Sequence, residues 1–144
     1  MRSIPKLALA TSVAALALAG CATANAQTRS RTPAANAPIS AAEAQQGAEA
    51  HPQILSEFGG TYTGPQARYI ETVGKNIAVQ SGLAGARDAF TVSTIDSSVN
   101  NAFAIPGGYI YTTRQLVALM NNEAELAAVL GHEVAHVAAR HAQR

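Results

Sequence analysis

His132-Glu133-Val134-Ala135-His136 is the stretch on which the reading of this chain turns, and it sits inside an apolar run from Leu126 to Ala139. On a helix each residue advances about 100°, which sets His132 and His136 about 40° apart on successive turns of one face. Two imidazoles so placed can share one tetrahedral zinc ion. Glu133 projects about 60° beyond His136, close to the metal but off the ligand axis. A general base must stand there to take a proton from a water that the metal activates. Two histidines falling four apart on a buried helix would leave the glutamate between them unexplained. Asn122, with Glu125 three residues on, reads as an N-cap and its capping-box partner, so the helix is predicted to begin near Glu123.

Upstream, the chain divides into three stretches: residues 1–20, 21–39 and 40–144. Arg2 and Lys6 form a short positive region, and Leu7 to Ala19 is apolar apart from Thr11 and Ser12, the pattern of a signal peptide. That stretch is too short for a comfortable membrane span of about 20 apolar residues. It ends in Leu18-Ala19-Gly20-Cys21, which resembles a lipobox, and a lipobox implies cleavage before Cys21 and lipidation of its thiol. Cleavage after Ala24-Asn25-Ala26, an A-x-A site, is the competing reading, but it leaves the single cysteine without a role. One cysteine permits no internal disulfide. The net charge is +1 for the whole chain, and without Arg2 and Lys6 eight basic residues face nine acidic ones. Such a balance gives no reason to expect nucleic acid as a partner.

Residues 22–39 are Ala, Thr, Asn, Gln, Ser and Pro with two arginines and a single isoleucine, Ile39, too poor in large apolar side chains to offset their ordering entropy. They are predicted to be a tether between an anchor and a folded body. Ser40 and Glu43 form a capping box that starts a helix at Ala41, and Pro52 is expected to stop it. Gly64-Pro65 opens a second helix with Ile70, Val73 and Ile77 as its buried stripe and Gly82 near its end. Phe90 to Ile95 alternates apolar and polar residues and reads as a strand. Ala102 to Ile105, Pro106-Gly107-Gly108 and Tyr109 to Thr112 read as strand, tight turn and strand, and Leu116 to Met120 as a short helix. The elements make an α+β domain with helices packed on a small mixed or antiparallel sheet. His51, before Pro52, is read as a surface or helix-end residue. A metal helix apolar on all sides demands neighbours on all sides. The chain is therefore expected to be the N-terminal part of a larger domain.

Taken together, Asn101-Ala102-Phe103-Ala104-Ile105-Pro106-Gly107-Gly108, Asn122-Glu123-Ala124-Glu125-Leu126-Ala127 and Gly131-His132-Glu133-Val134-Ala135-His136 resemble one group of enzymes. They are similar to the HtpX-like and CAAX-prenyl-protease-type zinc metallopeptidases, in the branch anchored in the bacterial envelope as lipoproteins. The resemblance spans roughly residues 40–144 and implies a zincin-like fold. It also implies a zinc-dependent endopeptidase acting on proteins or peptides, held by a lipid anchor at the periplasmic face, with the outer membrane favoured. By that resemblance His132 and His136 are the first two zinc ligands and Glu133 the general base. The third ligand is a glutamate in an E-x-x-x-D motif on a later helix. Glu133 is the last acidic residue here, so that ligand is expected beyond Arg144. A non-catalytic envelope lipoprotein, lacking the third ligand, is the rival reading.

His141 lies about 180° around the helix from His132 and cannot reach the same metal unless the helix breaks. A place beside the metal or on the surface suits it better. Arg140 is read first as a solvated charge favouring the helix dipole. The resemblance also makes Ala102, Phe103, Ala104 and Ile105 the candidate edge that holds an extended substrate. The alternative is that Phe103 and Ile105 are core and Asn101 caps a turn.

Overall fold

The computed structural model describes residues 37–141. The predicted signal peptide, Cys21, the A-x-A site and most of the predicted tether lie outside the described residues. The end of that tether belongs to the folded body, because the Ile39 N–H donates to the Leu83 carbonyl (3.0 Å) and its side chain packs against the core.

Helix α1 covers Ala41–Glu57 and opens as its capping box predicts. The Ser40 hydroxyl accepts from the Glu43 N–H (3.2 Å), and the Glu43 carboxylate accepts from the Ser40 N–H (2.8 Å). Pro52 does not stop it. A proline inside a helix deletes one backbone bond and costs about 3 kcal/mol. Here contacts on both sides of the proline outweigh that cost. His51 lies against the rings of Tyr109 and Tyr111, and Phe58, at the C-cap, against Phe103. Helix α2 covers Ala67–Val79. Gly64-Pro65 forms the turn before it, where the Ala67 N–H reaches the Gly64 carbonyl, so the helix begins two residues beyond the proline.

Strands β1 (Thr91–Ile95), β2 (Ala102–Ile105) and β3 (Tyr109–Thr113) form a mixed sheet in the order β1-β3-β2. The β1–β3 pair is parallel and the β2–β3 pair antiparallel, so β2 is an edge strand. Gly107 and Gly108, at φ 88° and 82°, make the reversal between β2 and β3 in a backbone region that side chains disfavour. Helix α3 covers Arg114–Ala118, two residues earlier than predicted, because the Thr113 hydroxyl caps it by accepting from the Leu116 N–H.

Helix α4 covers Glu123–Ala139 and carries both site histidines. The Asn122 side chain accepts from the Glu125 N–H (3.0 Å), while the Glu125 carboxylate accepts from the Asn121 N–H (2.8 Å) and from the Asn122 side-chain amide (3.4 Å). Leu126, Leu130, Val134 and Ala138 form its buried stripe. No large apolar side chain of α4 is exposed. Ala124, Ala128 and Ala135 occupy much of its outer face, together with His132.

Alternation along the strands gives the sheet two faces. Val92, Ile110 and Ala104 look toward α2 and α4, joining Ile70, Leu126 and Leu130 in the main core. A Cβ on Gly74 would come within 2.7 Å of Val92, so α2 lies against β1 at that point. Phe103, Tyr109 and Tyr111 look the other way, toward α1. A Cβ on Gly47 would overlap the Tyr109 ring and the Pro106 carbonyl. Helix α1 therefore covers one face of the sheet while α2 and α4 cover the other. Among the described residues, no helix is long and apolar enough to cross a membrane.

Candidate metal centre

The stripe that buries Leu126, Leu130 and Val134 fixes the roll of α4, and with it the direction of the three polar residues in the run. His132 projects into solvent, while Glu133 and His136 are half-buried. The two Nε2 atoms face one another at 2.9 Å, with ring planes at 90°. Two zinc–nitrogen bonds of about 2.0–2.1 Å meeting at a tetrahedral angle would separate the nitrogens by about 3.3 Å. The observed pair is within a few tenths of an ångström of that value. A Glu133 carboxylate oxygen completes the group, all of whose candidate ligand atoms lie within 4.8 Å of one another. The donor set and its spacing thus fit a zinc ion.

Burial pushes the Glu133 carboxyl above the ordinary glutamate range, against the smaller lowering influence of His136 and His132. A carboxylate raised in this way accepts a proton more readily than a solvated one, which suits a general base.

Beside the group lies a cavity of about 220 Å³, lined mainly by apolar atoms. Phe103, Ala104 and Ile105 from β2 and Pro106 from its turn form one wall. Glu133, His136, Val137, Arg140 and His141 form the other, and Glu43 reaches in from α1. Three of the four predicted strand residues therefore meet the metal helix across this space. Ala102, at the far end of β2, does not line it. The Thr113 N–H donates to the Asn101 carbonyl (3.0 Å). By antiparallel alternation, the Phe103 and Ile105 backbones then point inward to β3, and those of Ala102 and Ala104 point outward. The Phe103 ring is at the same time part of the packing, stacked on Tyr111 at 4.8 Å. The outward backbone groups and the packed ring thus belong to alternate residues of β2.

Three outlying residues differ from expectation. Arg140 is not a solvated charge: it is 3% exposed, its Nε donates to Glu43 Oε1 (2.9 Å), and Nη2 donates to the Ala37 and Pro38 carbonyls. It ends α4 in the left-handed conformation (φ 51°). That break turns His141 back, so its Nδ1 lies 2.6 Å from Nδ1 of His136. His51 is not a helix-end residue either: it is half-buried within α1, with Nδ1 2.8 Å from the Tyr111 hydroxyl. Glu43 and Arg140 escaped sequence reasoning as residues of the cavity. The available signal was a lone arginine closing an apolar helix and a capping glutamate with a second carboxylate oxygen to spare.

Residues 65–144 match the sequence profile described as Peptidase family M48, which is more than half of the chain. The chain belongs to peptidase family M48. Among curated relatives, the mitochondrial metalloendopeptidase OMA1 of Schizosaccharomyces pombe is 32% identical over 96 residues, 65% of this chain and 28% of that protein. The beta-barrel assembly-enhancing protease of Yersinia pestis is 35% identical over 77 residues, 54% of this chain and 15% of its own length. A putative beta-barrel assembly-enhancing protease of Vibrio cholerae is 36% identical over 76 residues, with similar coverage. The M48 chain therefore spans less than a third of the length of these relatives. The profile includes β2, β3 and the whole of α4, so both walls of the cavity fall within it.

Proposed function

We propose that this chain carries the catalytic helix and substrate strand of a zinc-dependent metalloendopeptidase of the bacterial cell envelope. The observation that carries this reading is the convergence of His132 and His136 Nε2 beside Glu133, at a cavity whose opposite wall is an edge strand. His132 and His136 would hold the metal. Zinc, when bound, supplies Lewis-acid polarisation of the scissile carbonyl and lowers the pKa of a water molecule. Glu133 takes the proton of the attacking water on its carboxylate and passes it to the leaving amine. Outward backbone groups of Ala102 and Ala104 pair with an extended peptide, and Phe103, Ala104 and Ile105 wall the space next to the scissile bond.

The envelope setting rests on the signal-like residues 1–20 and the lipobox-like Leu18-Ala19-Gly20-Cys21, with Cys21 as the lipidated residue. It also accords with the names of two relatives, which refer to β-barrel assembly. Residues 40–144 then belong to the peptidase domain, in the lipoprotein branch of HtpX-like and CAAX-type enzymes. Its work is proteolysis of envelope proteins in quality control, at the periplasmic face of the outer membrane.

The test is hydrolysis of a casein substrate by the full-length protein, run beside metal analysis. Glu133→Gln is expected to keep one zinc per molecule while losing about 10²–10⁴-fold in rate, because an amide accepts no proton. Cleavage by this variant at the parental rate would remove Glu133 from the chemistry. A parental protein that binds zinc but cleaves nothing would favour the non-catalytic lipoprotein.

A further inference from the structure

The break at Arg140 is a built feature, not a frayed helix end. The guanidinium is held by the Glu43 carboxylate and by two carbonyls ahead of α1, and the residue takes a left-handed backbone that costs energy for any side chain other than glycine. A straight continuation of α4 would carry His141 to the side of the helix opposite His132. With the break, His141 Nδ1 meets His136 Nδ1 at 2.6 Å. The other nitrogen of His136, Nε2, faces His132. One ring thus has its two nitrogens assigned to different neighbours.

Imidazole chemistry makes this arrangement informative. A neutral histidine that offers the Nε2 lone pair to a metal must carry its proton on Nδ1, and that proton requires an acceptor to hold the ring in place. We propose that His141 is a positioning residue whose Nδ1 accepts the His136 Nδ1 proton, fixing the tautomer and orientation in which His136 Nε2 faces the metal. Arg140, clamped by Glu43, sets the turn that delivers His141 to that place. The inference rests on the reading of His132 and His136 as zinc ligands. It adds a role for the residues immediately following α4.

The experiment uses the full-length protein and two readouts. Zinc affinity is measured by competition with a chromophoric chelator. The His136 tautomer is read from ¹⁵N ring shifts of the zinc-free protein near pH 8, where ordinary imidazoles are neutral. His141→Ala should weaken zinc binding by about 10- to 100-fold and redistribute the His136 proton between Nδ1 and Nε2. His141→Asn, whose side-chain oxygen can accept where Nδ1 did, should restore affinity to within about threefold and return the proton to Nδ1. His141 is exposed, so neither change should disturb folding, and circular dichroism verifies this. Unchanged zinc affinity and an unchanged tautomer in His141→Ala would overturn the proposal. So would an asparagine variant as weak as the alanine one, since ring packing and not an acceptor would then be at work. A parental protein without peptidase activity whose zinc affinity still depends on His141 would fault the functional reading and uphold this one.

Discussion

The two sides of this molecule use histidine in opposite ways. On the α1 side, His51 is half-buried between Tyr109 and Tyr111 and bonded to the Tyr111 hydroxyl, and burial lowers its pKa. Tyr111 is fully buried and its phenol is pushed up to about 12, first by burial and then by Tyr109 beside it. Both partners are neutral at ordinary pH, so the hydroxyl proton satisfies the contact. On the α4 side, the Nε2 atoms of His132 and His136 face one another at 2.9 Å, and His136 lines the cavity. A histidine closed by a neutral partner stabilises a fold. Two imidazole nitrogens brought together beside a carboxylate can hold a cation.

That contrast is broken most directly by truncating each ring. His136→Ala is expected to take bound zinc from one per molecule to none and to abolish peptide hydrolysis, measured by elemental analysis and casein cleavage. A full zinc complement in this variant would erase the distinction. His51→Ala should leave the zinc content whole, and its effect should appear in chemical denaturation instead.

The next largest effect belongs to the link between the two sides. Glu43→Ala leaves the Arg140 guanidinium buried without its carboxylate, and removing one partner of a buried pair costs about 3–5 kcal/mol. The variant should unfold at lower urea concentration. An unchanged midpoint would mean that Arg140 is held well enough without Glu43. His51→Ala, which strands the Tyr111 hydroxyl, should cost about 1–3 kcal/mol. Stability lost through Glu43 should therefore exceed that lost through His51.

The smallest expected effect is a pH dependence. The folded His51 pKa lies below the ordinary value of about 6.5, so the unfolded chain takes up this proton first as pH falls. The stability due to a neutral His51 is complete above about pH 6.5 and is lost as pH falls from there toward the lowered folded value. Thermal melts of the parent and of His51→Gln should diverge in that window, with the shallower slope in the variant. Parallel curves would remove His51 from the buried neutral class.

What was legible in the sequence was local. The Ser40–Glu43 box, the Asn122 cap, the Pro106-Gly107-Gly108 reversal and the His132–Glu133–His136 spacing each depend on residues within a few positions of one another. The features that went unread depend on distant partners. Pro52 lies within a helix because aromatic residues of β2 and β3 hold α1 on both sides of it. Arg140 is buried because Glu43, 97 residues earlier, meets it. His51 resembled a lone surface histidine because Tyr111 lies 60 residues away in sequence. The sheet order was hidden for the same reason, since β1 pairs in parallel with a strand that is not its sequence neighbour.

The span between Glu43 and Arg140 has a temporal meaning. Ribosomes add about 5–20 residues per second, so Glu43 exists for about 5–20 s before the arginine that will pair with it. Helix α1 is made first among the described elements, yet its Glu43–Arg140 lock cannot close until the last turn of α4 has been synthesised. The aromatic residues of β2 and β3 that α1 packs on also follow it in the chain, so α1 waits for all of its tertiary partners and for Arg140 longest.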